Sequence, residues 1–144
     1  MWNILKITLQ YTMLNKLLEC FQTKKLAMNT VALTHATSTV ALGLLGNSNL
    51  IKINSNGYFL FDMLYILKYR NLDLMNILYL YHHMACFYFM SLDPLVYNWK
   101  NTIFIAELSN IPNYVVYYYI KKKSEDKLQF WKKIQKIWYS FFRI

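Results

Sequence analysis

The sequence predicts an all-α membrane protein, a multi-pass transmembrane helical bundle of about four to five helices. Two observations favour this fold class. The chain of 144 residues is 56% hydrophobic and 18% aromatic, with only 3 glycines and 2 prolines. Its net charge of +9 is gathered between long apolar stretches, whereas a soluble domain spreads its charge over its surface. This arrangement is typical of a membrane protein and not of a nucleic-acid-binding protein.

Four apolar stretches are long enough to be candidate membrane spans, since about 20 helical residues cross about 30 Å of hydrocarbon. They are residues 29–46, 53–69, 74–92 and 102–120. The second is the least apolar, because Asp62 and a polar start interrupt it. A fifth stretch, 134–144, reaches only ~16 Å as a helix and cannot cross by itself.

The chain divides into an N-terminal segment, residues 1–28, and a transmembrane domain, residues 29–144. Leu14, Leu17 and Leu18 form a helical apolar stripe in the N-terminal segment, but three charged residues interrupt the run. This pattern fits either an interfacial helix or a degenerate span. Near the other end, Trp and Ile alternate with Lys after Ser124, which fits an amphipathic helix on an anionic leaflet or an ordinary basic flank.

The positive charges support the order of the spans. If the spans alternate, eleven lysines and arginines share one side and only Lys52 and Lys100 lie on the other. The positive-inside rule assigns the eleven-charge side to the cytoplasm.

Polar residues inside the stretches recur at helical spacing and predict a buried polar layer. We expect His35, Asp62 and His83 to lie at similar depth, with Asp62 as the partner of His83. Glu107 and Asn110 belong to a further polar stripe, and His82 points about 100° away from His83 on a regular helix.

This layer has three interpretations. A His35–His83–Asp62 metal site is the least favoured, and we expect no metal or other cofactor. A neutral histidine oriented by Asp62 can act as a general base towards an amine or a hydroxyl. A third interpretation is that the polar groups only fix helix packing. Three histidines are too few for the histidine boxes of membrane desaturases.

Four segments, in this order, resemble the TLC family of lipid-linked membrane proteins. They are NTVALTHATSTVALGLL (29–45), NGYFLFDMLYILKY (56–69), LYLYHHMACFYF (78–89) and IAELSNIPNYVVYYY (105–119). The chain looks most like the shorter members outside the ceramide synthases, and it resembles a TLC domain without its C-terminal part.

The resemblance implies a lipid-associated protein that binds or organises membrane lipids, in the endoplasmic reticulum or a host intracellular membrane. Its partners would be lipids, with a homo- or hetero-oligomer completing the bundle. The alternative is a ceramide-synthase-type N-acyltransferase with acyl-CoA as cosubstrate, because His82 and His83 match the His-His pair of those enzymes. The Glu107-Leu108-Ser109 pattern, with no further histidine, is instead typical of the non-synthase branch.

Overall fold

A computed structural model describes residues 1–92 and 99–142, and within them the chain forms six α-helices. The helices are α1 (Trp2–Glu19), α2 (Lys24–Leu44), α3 (Ser48–Tyr69), α4 (Leu74–Phe89), α5 (Trp99–Lys122) and α6 (Glu125–Phe142). Each of the five apolar stretches overlaps one helix from α2 to α6, and the N-terminal segment contains α1. The helical part of the predicted fold class is therefore confirmed.

Short polar side chains set the starts of three helices. At each start, a side-chain oxygen accepts a hydrogen bond from the backbone N–H three residues later. The acceptors are Thr23 Oγ1 at 3.4 Å, Asn47 Oδ1 at 3.1 Å and Asp73 Oδ1 at 2.8 Å. Each satisfies one of the N–H groups that a helix start leaves without an intrahelical partner. The turn between α5 and α6 depends on Lys123, whose φ of 53° lies in the left-handed region.

The bundle is built around α2, α3 and α5. Helix α2 packs on α5 and α3, α1 packs mainly on α3, and α4 packs on α3. Val31, Ile51, Phe59 and Trp99 are among the buried apolar residues that join these helices. This packing brings the polar stripes of α2, α3, α4 and α5 towards one another.

A proline explains how α6 docks on α5. Pro112 lies inside α5 and has no N–H, so the carbonyl of Leu108 loses its usual intrahelical partner. The indole Nε1–H of Trp138 on α6 donates to that carbonyl at 2.9 Å. Gln135 Nε2 and the Tyr139 hydroxyl both donate to Asn113 Oδ1 nearby.

Helices α1 and α4 have an inverted distribution of polarity. In α1 the buried residues are Thr8, Tyr11 and Asn15. A stripe of aliphatic residues at spacing i, i+4 is 44% to 64% exposed, comprising Leu5, Leu9, Met13 and Leu17. In α4 only His83 is buried. An amphipathic helix of a globular protein in water is expected to show the opposite pattern.

The membrane-spanning part of the prediction is wrong. In residues 1–92 and 99–142, no helix combines the length and the apolarity that crossing a bilayer requires. Helix α4 has only 16 residues, or about 24 Å against a hydrocarbon thickness of about 30 Å. The longer helices carry too many polar groups, such as Lys52, Asn54 and Asp62 in α3.

The other predictions that depended on membrane spans are wrong for the same reason. The transmembrane, multi-pass architecture and the integral location in an endoplasmic reticulum or host membrane are overturned. The assignment of the eleven-charge side to the cytoplasm fails, because it required spans. The polar residues also do not form a layer at the midplane of a bilayer. For residues 1–21, the degenerate-span alternative fails with the others.

Candidate functional site

Two buried histidine–carboxylate pairs lie at the centre of the bundle. Each partner comes from a different helix: His35 from α2, Asp62 from α3, His83 from α4 and Glu107 from α5. All four are buried. Their convergence follows from the packing of α2 on α5 and of α4 on α3.

The first pair is Asp62 and His83. Asp62 Oδ2 lies 3.2 Å from His83 Nδ1, and the two side chains are 12% and 8% exposed. The pairing predicted from the polar stripes is therefore present. The His83 ring stacks on Phe59 with a centroid separation of 4.9 Å, which fixes the plane of the imidazole.

The second pair is His35 and Glu107. Glu107 Oε1 lies 3.6 Å from His35 Nδ1. The other ring nitrogen, Nε2, lies 3.3 Å from Ser55 Oγ and 3.2 Å from Thr39 Oγ1. The His35 ring also stacks on Tyr58 at 4.1 Å between centroids. The residue is thus contacted on both edges and one face.

Adjacent aromatic residues of α3 connect the pairs. Tyr58 covers His35, Phe59 covers His83, and the Tyr58 ring also meets the His83 ring edge-on at 6.2 Å. Among the described residues, the Nδ1 atoms of both histidines make no hydrogen bond of good geometry. Each pair is therefore a close approach of a ring nitrogen and a carboxyl oxygen, at 3.2 and 3.6 Å.

Burial dominates the electrostatics of the site, because a low-dielectric interior disfavours charged forms. It lowers the pKa of His35 to about 3 and of His83 to about 4; the charges of His83 and His82, respectively, act in the same direction. It raises the pKa of Asp62 to about 6, with Arg70 opposing the shift, and of Glu107 to about 7. Both histidines are therefore neutral at pH 7, and each neutral ring has one nitrogen that can accept a hydrogen bond.

His82 and Asn110 are the two other predicted residues. His82 is exposed, with its Nε2 3.7 Å from Cys86 Sγ and its ring centroid 5.6 Å from that of the buried His83. The difference in burial agrees with the predicted divergence of the two side chains. Asn110 is half-buried on α5, three residues after Glu107. No cluster of three His, Cys, Asp or Glu residues in the described parts of the chain could hold a metal ion.

Sequence reasoning missed Ser55 and Phe59. Ser55 lies three residues before Tyr58 and seven before Asp62, at helical spacing with both, so the stripe on α3 could have been extended to it. Phe59 had no comparable signal, because an aromatic residue in an apolar stretch is most often ordinary core. Glu107 was not assigned to His35, although the structure places the two together.

Comparisons of this chain with protein-family models, curated proteins and solved structures find no match. The resemblance to the TLC family stays a prediction. The site is therefore interpreted from its own geometry.

Proposed function

We propose that the protein binds lipids, with acyl chains covering the exposed apolar faces of α1 and α4. The inverted polarity of these two helices is the observation that carries the proposal. Helix α1 turns Thr8, Tyr11 and Asn15 inward and its aliphatic stripe outward. Proteins rarely leave a large apolar surface in contact with water, and such surfaces mark contacts with membranes, ligands or other proteins.

Helix α4 supports acyl chains as the occupant. It contains no Asp, Glu, Lys or Arg. A stripe at spacing i, i+4, i+7, i+11 is 48% to 72% exposed and comprises Ile77, Tyr81, Met84 and Tyr88. A protein partner would ordinarily meet a polar rim around such a core, whereas acyl chains require only a continuous apolar surface.

A basic cluster indicates which lipids fit. The ammonium groups of Lys16, Lys68 and Lys24 lie 5.0, 5.2 and 5.8 Å from the centre of the Tyr69 ring. The cluster joins the end of α1, the start of α2 and the end of α3, close to where α4 begins. Lys16 is paired with Glu19 at 2.8 Å, so Lys24 and Lys68 carry the excess positive charge of the cluster. Each lysine near a lipid surface attracts anionic headgroups by about 1 kcal/mol, so we propose that anionic lipids are preferred.

Vesicle co-sedimentation tests the proposal. Vesicles of equimolar phosphatidylcholine and phosphatidylglycerol should bind the chain, and phosphatidylcholine vesicles should bind it less. The double variant Met84→Glu/Tyr88→Glu should lose binding, because each new carboxylate would have to be removed from water. Gln129→Glu/Ser140→Glu changes the net charge equally on the exposed surface of α6 and should retain binding.

Either of two results refutes lipid binding. One is equal sedimentation of both double variants. The other is that a folded wild-type chain does not sediment with either kind of vesicle. If that chain were a dimer in solution, and the α4 variant a monomer, the apolar face of α4 would bind a second copy of the chain instead.

A second candidate is acyl transfer, which the distance of 3.2 Å between Asp62 and His83 favours. A neutral His83 would accept a proton from a long-chain amine as the nitrogen attacks the thioester carbonyl of an acyl-CoA. The new C–N bond replaces the C–S bond, and the proton returns to the departing thiolate. Asp62 would orient the imidazole and stabilise its protonated form.

Acyl transfer is tested with a labelled sphingoid base and a panel of acyl-CoAs. Product should be lost in His83→Ala and reduced in Asp62→Asn, while His82→Ala retains it, since His82 does not contact Asp62. No product above a blank from the folded wild-type protein would refute this candidate for those substrates.

A further inference from the structure

A cleft lies between α1, α2 and α3, separate from the faces discussed above. It has a volume of about 330 Å³, within the range of small-molecule sites. Ile7 and Leu14 of α1 form apolar walls, and Tyr11 of α1, Ser38 of α2 and Asn54 of α3 form a polar floor.

The floor is a connected set of hydrogen bonds. The Tyr11 hydroxyl donates to Asn54 Oδ1 at 2.8 Å, and Asn54 Nδ2 donates to Ser38 Oγ and Thr39 Oγ1 at 3.1 and 3.0 Å. The Ser38 hydroxyl donates to the backbone carbonyl of His35 at 2.9 Å. Thr39 Oγ1 lies next to His35 Nε2, so the floor of the cleft adjoins the second histidine–carboxylate pair.

The hydrogen count determines what the floor can recognise. Tyr11 and Ser38 each have one O–H, and the Asn54 amide has two N–H groups. All four hydrogens are used within the floor itself. On these three residues, the capacity that remains consists of oxygen lone pairs, on Tyr11 Oη, Ser38 Oγ and Asn54 Oδ1. Gln10 also lines the cleft, but it is exposed and is not part of this floor. The floor therefore favours a ligand that donates hydrogen bonds.

The absence of charge in the lining limits the chemical class of the ligand further. No charged side chain lines this cleft. An ammonium or carboxylate group would lose water there without an opposite charge in compensation. We infer that the cleft binds an uncharged amphiphile, whose hydroxyl or amide N–H donates to the floor while its apolar part contacts Ile7 and Leu14.

Two isomeric probes test the hydrogen-bond requirement. 1-Octanol and methyl heptyl ether have the same atoms, but only the alcohol can donate. Titration calorimetry of the full-length protein should show the ether binding about five- to tenfold more weakly, the equivalent of one net hydrogen bond. Octylammonium and octanoate should also bind more weakly than the alcohol.

Two tryptophan variants locate the site. Thr34 is exposed and lines the cleft, so Thr34→Trp should block octanol binding. Thr37 is exposed on the same helix and does not line it, so Thr37→Trp should bind as the wild type does. This inference is independent of lipid binding at α4, since no residue of α4 lines the cleft.

Three results would overturn the inference. They are equal affinity for the alcohol and the ether, octanol binding that survives Thr34→Trp, and no octanol binding by the folded wild-type chain. Tighter binding of either charged probe would show that the cleft recognises charge instead.

Discussion

The two buried pairs predict a stability that is nearly independent of pH in the wild type and strongly dependent on pH when either half is removed. His35 and His83 titrate at about 3 and about 4 in the folded protein, below the ordinary 6.5. Asp62 and Glu107 titrate at about 6 and about 7, above 3.8 and 4.5. The two sets therefore act in opposite directions.

The sign follows from which state binds more protons. The histidines bind protons mainly in the unfolded state between about pH 4 and 6.5, so their contribution to stability is fully present above 6.5 and is lost as pH falls from 6.5 through about 4 and 3. The carboxyl groups bind protons mainly in the folded state, so their contribution is present at low pH and is lost as pH rises through about 6 and 7. Near pH 5.5 the two effects almost cancel.

The magnitude is large because two groups of each kind are involved. One proton of difference changes the free energy of unfolding by about 1.4 kcal/mol per pH unit. Asp62→Asn/Glu107→Gln leaves the histidines alone, so its free energy of unfolding should rise by about 2 kcal/mol per pH unit between pH 5 and 6. His35→Gln/His83→Gln should show a fall of similar size.

Urea unfolding, followed by circular dichroism at several pH values in this window, measures both slopes. Glu125→Gln/Asp126→Asn removes two exposed carboxylates from the start of α6 and should keep the flat wild-type profile. The reasoning would be refuted by a steep wild-type slope, or by carboxyl and histidine variants whose slopes have the same sign.

Three further predictions concern the helix contacts. Trp138→Phe should destabilise the fold by about 0.5–1.5 kcal/mol, because it removes the donor to the partly buried carbonyl of Leu108. Pro112→Ala restores an intrahelical donor to that carbonyl and should reduce this cost in a double-mutant cycle measured by urea unfolding. Gly57→Ala should cost about 1–3 kcal/mol, because its Cβ would overlap the Ile7 side chain; an unchanged thermal midpoint would contradict the close approach of α1 and α3. Lys123→Gly should raise the free energy of unfolding by about 0.5–1 kcal/mol, since only glycine adopts its positive φ without strain, and a loss of stability would argue against that turn.

The helices and one of the pairs could be predicted from the sequence. Helical spacing placed Asp62 and His83 on polar stripes of α3 and α4. These two helices are consecutive and joined by a short connection, so contact between their polar stripes could be expected. The His35–Glu107 pair was harder to predict, because α2 and α5 are far apart in the chain. Their contact depends on the packing of the whole bundle.

The membrane prediction failed because it gave the overall apolar composition of each stretch more weight than the polar groups that a helix would carry across the hydrocarbon. In α3, Asp62 lies within the predicted span 53–69, and Lys52 directly precedes that span in the same helix. The cleft beside Tyr11 was missed for a related reason. The apolar stripe of α1 consists of leucines, whereas the residues that α1 buries are Thr8, Tyr11 and Asn15.

Photo-crosslinking with an anionic lipid that carries a diazirine in its acyl chain tests the central claim, lipid binding through inverted helices, most directly. Mass spectrometry of the labelled chain should place the crosslinks on the exposed stripe of α4, from Ile77 to Tyr88, and on that of α1, from Leu5 to Leu17. Crosslinks confined to α6, or spread evenly over the surface, would contradict the account.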